Sequence, residues 1–239
     1  MSPFVQALGG PTSSQVKRAG HLVRQALRGD PIPDLDKLTE AIRIIEAHRA
    51  TFKQPLVTAN NGLRSMVRTS GLKGQVSQRL KRMATILDKL DREPTLALDR
   101  MQDIGGCRVV LPTRDAVYRL RDHLAHVRQP IRERDYISEP RMSGYRGIHV
   151  VVEYGTQCPR MIEIQLRTEA MHQWATAVEE ISGSSDVNYK MDGATPMQRF
   201  LECYARVLEC EDLGTSPGPN LVEEYGKLLA EAFEPEASR

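Results

Sequence analysis

Two carboxylates in this 239-residue sequence stand where an acidic side chain is costly. Asp103 opens the segment Asp103-Ile104-Gly105-Gly106-Cys107-Arg108, which reads as a strand, and Glu163 lies inside Ile162-Glu163-Ile164-Gln165-Leu166. A charge on a central strand is expensive unless it is paired or binds a cation. Either residue alone fits an edge strand or a salt bridge; together, near a basic stretch, they suit Mg²⁺ held jointly with phosphate oxygens. Arg79 and Lys81 are two apart on an extended segment and so point to one side, with Lys89 on the helix that follows. Their spacing suits a triphosphate, with arginine as a fork and lysine as a point charge, and it suits a solvated basic edge equally well.

A third group runs from Arg132 to Ile137 and from Arg141 to His149. Gly144 and Gly147 flank Tyr145-Arg146, which lets backbone approach a ligand while Tyr145 offers a flat face to a base. A β-turn with a packed tyrosine is the alternative. His149 has the chemistry to meet phosphate or sugar, or to be a satisfied core histidine. Glu179-Glu180 either orient basic side chains or are solvated, and Trp174 reads as core.

The blocks DIGGCR, RERDYI, RMSGYRGIH, EIQLRT and HQWATAVEE, in this order, resemble the synthetase domain of the RelA/SpoT family in its stand-alone form, the small alarmone synthetases. The family's usual forms are close to D-I-A-G-I-R, R-x-K-D-Y-I, S-G-Y-R-S-L-H, E-I-Q-I-R-T and W-A-x-x-x-E. The resemblance covers the middle of the chain, from about Val76 to Glu180. It implies a nucleotidyltransferase-like mixed sheet and transfer of the β,γ-pyrophosphate of ATP to the ribose 3′-hydroxyl of GTP or GDP with Mg²⁺, giving (p)ppGpp. It further implies that Asp103 and Glu163 are the catalytic and metal-holding pair, Glu163 alternatively the general base. Arg79, Lys81, Lys89 and Arg108 would then grip ATP. Tyr145 would stack on the acceptor base, Arg134, Arg141 and His149 would meet its phosphates, and Gln165 and Ala175 would line its side. Arg134 and Arg141 stand where lysine is common, Gly147 replaces a serine and Cys107 an aliphatic residue. Toxin members of the same family modify adenosine nucleotides or the 3′-terminal adenosine of tRNA and pair with an antitoxin. That acceptor, a cognate antitoxin, and a catalytically dead sensor or RNA-binding module remain the competing readings.

These residues need a scaffold of alternating strands and amphipathic helices. Helical spacing predicts helices over Ser14 to Leu27, from about Leu35, over Leu56 to Arg68, Met83 to Asp91, Arg114 to Ala125, Thr168 to Ile181, Pro196 to Cys210 and Asn220 to Phe233. Strand patterns fall at Val76 to Lys81, Ile104 to Leu111, Ile131 to Asp135, Val150 to Val152 and Met161 to Leu166. The expected class is α/β (α+β), one mixed sheet flanked by helices. Residues 1–72 read as an N-terminal helical extension, 73–183 as the synthetase core and 184–239 as C-terminal helices. The first dozen residues and Ser182 to Thr195 read as loop.

Composition narrows the classes. Forty per cent hydrophobic and 27% charged residues with a mean hydropathy of -0.42 describe a soluble globular chain. No run approaches the about 18 apolar residues of a membrane span, and no signal peptide is evident, so the cytoplasm is the expected location. Four cysteines without a CxxC pair suit reduced thiols. Lys and Arg total 33 against 31 Asp and Glu, a net of +2, which does not mark a dedicated nucleic-acid binder. The distribution is uneven: basic residues dominate Arg64 to Arg92, acidic ones Glu202 to Glu236. No His-Asp dipeptide occurs and the length leaves no room for the family's hydrolase domain, so degradation of the product is not expected. The terminal helices suit a homo-oligomer as well as an antitoxin contact.

Overall fold

The computed structural model describes residues 10–31, 34–156, 158–183 and 195–233. Helices α1 (Ser13–Leu27), α2 (Leu35–Ala50) and α3 (Lys53–Thr69) precede strand β1 (Gln75–Leu80) and helix α4 (Met83–Arg92). A 3-10 turn at Leu98–Arg100 leads to β2 (Gly105–Leu111), α5 (Arg114–Val127), β3 (Arg132–Asp135), β4 (Ile148–Tyr154) and β5 (Arg160–Thr168). Three helices close the chain: α6 (Glu169–Gly183), α7 (Pro196–Asp212) and α8 (Pro219–Phe233). The strands form one five-stranded sheet in the order β1-β2-β5-β4-β3. The α+β class with a mixed, helix-flanked sheet is the one the sequence leads to. No described helix is long and apolar enough to cross a membrane.

Two compact units divide the chain. The first comprises Met1–Ser65, Val76–Cys107 and Val151–Ile164; the second comprises Met66–Gln75, Arg108–Val150 and Gln165–Arg239. In the first, α1 packs on α2, α4 and the 3-10 turn. A reciprocal capping box between Thr12 and Gln15 starts α1, and Val16, Ala19, Gly20 and Val23 form its buried stripe. Gly20 is required there by contact, because a Cβ would lie 2.8 Å from Leu98 Cβ. Arg24 Nε then donates to the Leu90 carbonyl at 2.7 Å and Arg28 Nη2 to that of Asp91 at 2.8 Å, so α1 satisfies carbonyls at the end of α4. In the second unit, α7 packs on α6 and α8, and an apolar cluster of Tyr145, Trp174, Ala175, Val178, Phe200, Leu201 and Leu208 forms the core.

Several boundaries differ from the sequence reading, β4 for one running two residues beyond Val150 to Val152 at each end, and two of them bear on the scaffold of the site. Helix α3 starts at Lys53 rather than Leu56, because Pro55 falls in its first turn, where a missing N–H costs nothing. Asp103 does not open a strand: β2 begins at Gly105, and Asp103 sits in the turn before it, where the Ile104 carbonyl accepts the Lys81 backbone N–H at 2.8 Å. The loops expected at the first dozen residues and from Ser182 to Thr195 lie largely outside the described residues.

One buried group in the first unit titrates far from its ordinary range. His48 on α2 packs edge-on to Phe52, and burial, then the Arg160 charge, push its pKa down to about 4, against a smaller opposing pull from Asp99. The unfolded chain therefore takes up this proton first as pH falls. The stabilisation is complete above pH 6.5 and is lost between 6.5 and 4, by about 3 kcal/mol in all. Urea unfolding at pH 7 and at pH 4 tests this: the loss of stability should be about 3 kcal/mol smaller in His48→Gln than in the natural chain. Equal losses would assign the acid limb to other groups.

Candidate active site

The first unit gathers Lys81, Lys89 and Asp103. Lys81 follows the end of β1, and its backbone bond to Ile104 fixes it against the turn that carries Asp103. Arg49 Nε donates to the Lys81 carbonyl at 2.7 Å, so α2 braces the same residue. Lys81 is only 7% exposed; its Nζ donates to Asp103 Oδ2 at 2.8 Å, and Lys89 Nζ from α4 donates to the same oxygen at 3.1 Å. Burial raises the Asp103 pKa, but the two ammonium groups outweigh it and hold the carboxyl below its usual range, so it is ionised at neutral pH. Its other oxygen, Oδ1, is buried and has no hydrogen-bond partner.

That orphaned oxygen fits a hard cation. Among the described residues no group of three or more His, Cys, Asp or Glu could hold a metal, so an ion here would take most of its ligands from phosphate and water, as Mg²⁺ does. Glu163 is half-buried on β5, between the buried side chains of Ile162 and Ile164 on the opposite face. A Cβ on Gly106 would lie 3.7 Å from the Glu163 carbonyl oxygen and 3.9 Å from that of Arg79, so these three residues sit alongside one another on β5, β2 and β1. Arg79 is exposed.

The second unit holds the remaining candidates. Tyr145 is 8% exposed, and its hydroxyl is hydrogen-bonded to His149 Nε2 and, at 3.0 Å, accepts from Arg167 Nη2. Arg167, 4% exposed, donates from the same nitrogen to Gln165 Oε1 at 2.9 Å. The ring of Tyr145 meets Tyr136 and Trp174 edge-on, at 5.7 and 6.0 Å between centroids. The Arg167 guanidinium carbon lies 5.2 Å from its centroid and that of Arg141 5.9 Å. Arg141 also lies 4.6 Å from the Tyr136 centroid and donates to its hydroxyl at 2.9 Å. Gly147, at φ +146°, makes the cluster fit, since a Cβ would lie 3.2 Å from Arg167 Cγ and 3.3 Å from the Tyr145 hydroxyl.

The flat face expected of Tyr145 is therefore occupied by guanidinium groups. Ala175 departs further from expectation: at 1% exposed it is packed with Trp174 and Val178 in the apolar cluster, because that side of α6 faces α7, and it presents no surface to a ligand. Arg134 is exposed on β3. Arg108 on β2 lies 3.8 Å from Glu179. Burial, then the charges of Arg108 and Arg167, lower the pKa of His172 on α6. Sequence reading missed Arg167, although the signal was present: it is a charge two places along the same strand from Gln165 and four from Glu163.

The region found in RelA / SpoT proteins matches residues 78–194. The GTP pyrophosphokinase YjbM of Bacillus subtilis is 34% identical over 149 residues, 56% of this chain and 68% of that protein. The chain belongs to the RelA/SpoT family. A probable chloroplastic GTP diphosphokinase of rice, also similar, is 35% identical over 126 residues, which is 51% of this chain but 17% of that protein, so the match spans only a small part of the longer relative. The crystal structure of small alarmone synthetase 1 from Bacillus subtilis bound to its product pppGpp superposes with a TM-score of 0.59 at 26% identity, covering 77% of this chain and 97% of that one. The RelA/SpoT region contains both clusters, whereas α7 and α8 begin after it.

The Lys81–Asp103 pair sets a stability prediction for this RelA/SpoT core. Removing one partner of a largely buried pair leaves the other charge stranded, so Lys81→Met should cost about 3 kcal/mol in urea unfolding. Combined with Asp103→Leu, the loss should fall short of the sum of the singles by at least about 1 kcal/mol. Strict additivity would show that the two are not energetically coupled.

Proposed function

We propose that this RelA/SpoT member transfers the β,γ-pyrophosphate of ATP to the ribose 3′-hydroxyl of GTP or GDP, making (p)ppGpp with Mg²⁺. The observation that carries the reading is the Asp103 carboxylate, clamped through Oδ2 by two ammonium groups and left with one buried, unpartnered oxygen. The similarity to a GTP pyrophosphokinase matched over 68% of its length supports the same chemistry.

In this reading the acceptor O3′ attacks the β-phosphorus, the bond from that phosphorus to the α,β-bridging oxygen breaks, and AMP leaves with the electron pair. Glu163 takes the hydroxyl proton. Lys89 and Arg79 bind the donor's phosphates, while Lys81, too buried to reach far, keeps Asp103 ionised and aimed. Magnesium would be held through Asp103 Oδ1 and would neutralise the charge that builds on the transferred phosphates; in the alternative role Glu163 would be its second ligand in place of the base. Such a reaction needs positioned cations and an aligned nucleophile and little covalent chemistry from the protein. Arg108 on β2 adds a further cation for the donor's phosphates. On the acceptor side, Arg134, Arg141 and His149 meet phosphate oxygens and Gln165 the nucleoside. Tyr145 receives the base once Arg141 leaves its ring for a phosphate, which exchanges one cation–π contact for a charge-assisted hydrogen bond.

The test is incubation of the purified chain with Mg²⁺, β,γ-labelled ATP and GTP, GDP, unlabelled ATP or deacylated tRNA as acceptor. Label should move to GTP and GDP. Label on tRNA alone would overturn the guanosine acceptor in favour of the toxin chemistry. Asp103→Asn should lower kcat by at least about a hundredfold; full transfer would remove the metal role. Tyr145→Ala should raise the acceptor KM about tenfold, the worth of one base stack, with the ATP KM unchanged.

A further inference from the structure

Every residue assigned to the reaction lies between Arg79 and Ala175, yet the acceptor loop 141–147 is not held by that core alone. Arg146, which follows Tyr145, does not extend toward solvent. Its Nη2 donates to Glu209 Oε2 on α7 at 2.5 Å and its Nη1 to the Gly144 carbonyl at 3.4 Å. Glu209 Oε1 in turn accepts from Arg114 Nη2 at 3.1 Å, and Arg114 Nε donates to Asp212 Oδ2 at 2.5 Å, with the Asp212 side chain only 3% exposed. On the other side of Tyr145, Gly144 sits at φ +89° with its α-carbon pressed on α7: a Cβ there would be 2.6 Å from Ala205 Cβ and 3.3 Å from Glu202 Cα. Trp174, against which the Tyr145 ring packs, donates from Nε1 to the Leu201 carbonyl of α7 at 2.8 Å.

We infer that α7 positions the acceptor loop, with Glu209 as the positioning residue, so that a helix beyond the RelA/SpoT region sets acceptor affinity. The inference rests on the reading of loop 141–147 as the acceptor's site. Both residues flanking Tyr145 are tied to the same helix, one by a charged hydrogen bond and one by backbone contact, which leaves the tyrosine a single seat. Simple packing of a C-terminal helix does not call for this arrangement. Four charges, one of them fully buried and three partly so, cost more to desolvate than apolar residues of similar volume, and the shared carboxylate aims Arg146 in one direction. With the loop released from Glu209, Arg146 is free to leave its seat, Tyr145 samples other positions, and the acceptor has to re-order the loop when it binds. That cost appears in the acceptor KM and not in the donor's, whose cations lie on β1 and α4.

The test is steady-state kinetics on the full chain with GTP and ATP varied in turn, with thermal unfolding of each variant. Glu209→Gln should raise the GTP KM at least about fivefold and leave the ATP KM within about twofold. Arg146→Lys keeps the charge but loses the fork, and should act in the same direction should Glu209→Gln fold poorly. The double variant should be no worse than the worse single, because the two share one interaction. Arg206→Gln, which breaks only an exposed pair with Glu224 on α8, should change neither KM. A fall in unfolding temperature with an unchanged GTP KM would overturn the inference and leave the network structural. Tyr145→Ala, run alongside, separates the two levels. If it raises the GTP KM while Glu209→Gln and Arg146→Lys do not, the inference alone falls; if none of them moves it, the loop is not the acceptor's and both readings fall.

Discussion

A carboxylate that must stay charged while buried governs the first unit. Taken out of water alone, Asp103 would be neutralised by protonation; with Lys81 and Lys89 on one oxygen it stays an anion. The requirement reaches back through the structure. Lys81 can serve only if its backbone is pinned to Ile104 and braced by Arg49, Lys89 only if α4 begins just after β1, and α4 only if α1 satisfies the carbonyls at its end. A helix of the N-terminal extension thus maintains the geometry of a carboxylate far along the chain.

The second unit solves a different problem, that of burying a tyrosine with its hydroxyl satisfied. A phenol buried with its hydroxyl unpaired would cost on the order of 1–3 kcal/mol. Here His149 and Arg167 take the hydroxyl, and guanidinium groups stand near the ring. Of these, Arg167 is enclosed and Arg141 is exposed, so only Arg141 can give way without unpacking the core. The same packing explains why Ala175 is interior: Trp174 needs Leu201 for its N–H, and α6 turns that side toward α7.

Much of this was legible in the residues because alternation is a local property. On β2 and β5 the apolar side chains alternate with Arg108, Glu163 and Gln165, and that period both defines the strands and singles out the polar positions. The eight helices of the described residues likewise fall close to where their apolar spacing put them, and α3 alone was misjudged at its start, by a proline that the first turn tolerates. What could not be read was long-range. Nothing near Arg146 in sequence names a glutamate 63 residues on as its partner, and nothing at Ala175 says that α7 covers it. Arg167 was not singled out, and its contact with the Tyr145 hydroxyl, 22 residues away in sequence, is again long-range.

The small net charge follows from how these networks are divided. Where charge serves the scaffold it is cancelled: Arg114 and Arg146 against Glu209 and Asp212, and Arg199 and Arg206 against Glu231 and Glu224 on α8. Thus four carboxylates of the acidic C-terminal segment, Glu209, Asp212, Glu224 and Glu231, meet arginines of their own unit. Where the chemistry is proposed, cancellation is incomplete. Arg79 stands exposed beside Lys81, Lys89 and Asp103, with Lys89 also 3.9 Å from Glu93, and Arg141 and Arg167 lie near the ring of Tyr145. A nucleoside polyphosphate is attracted to such local excess at short range, within a Debye length of about 8 Å, whatever the total charge of the chain. A nearly neutral protein can therefore select a small polyanion without the long basic surface that would also collect nucleic acid.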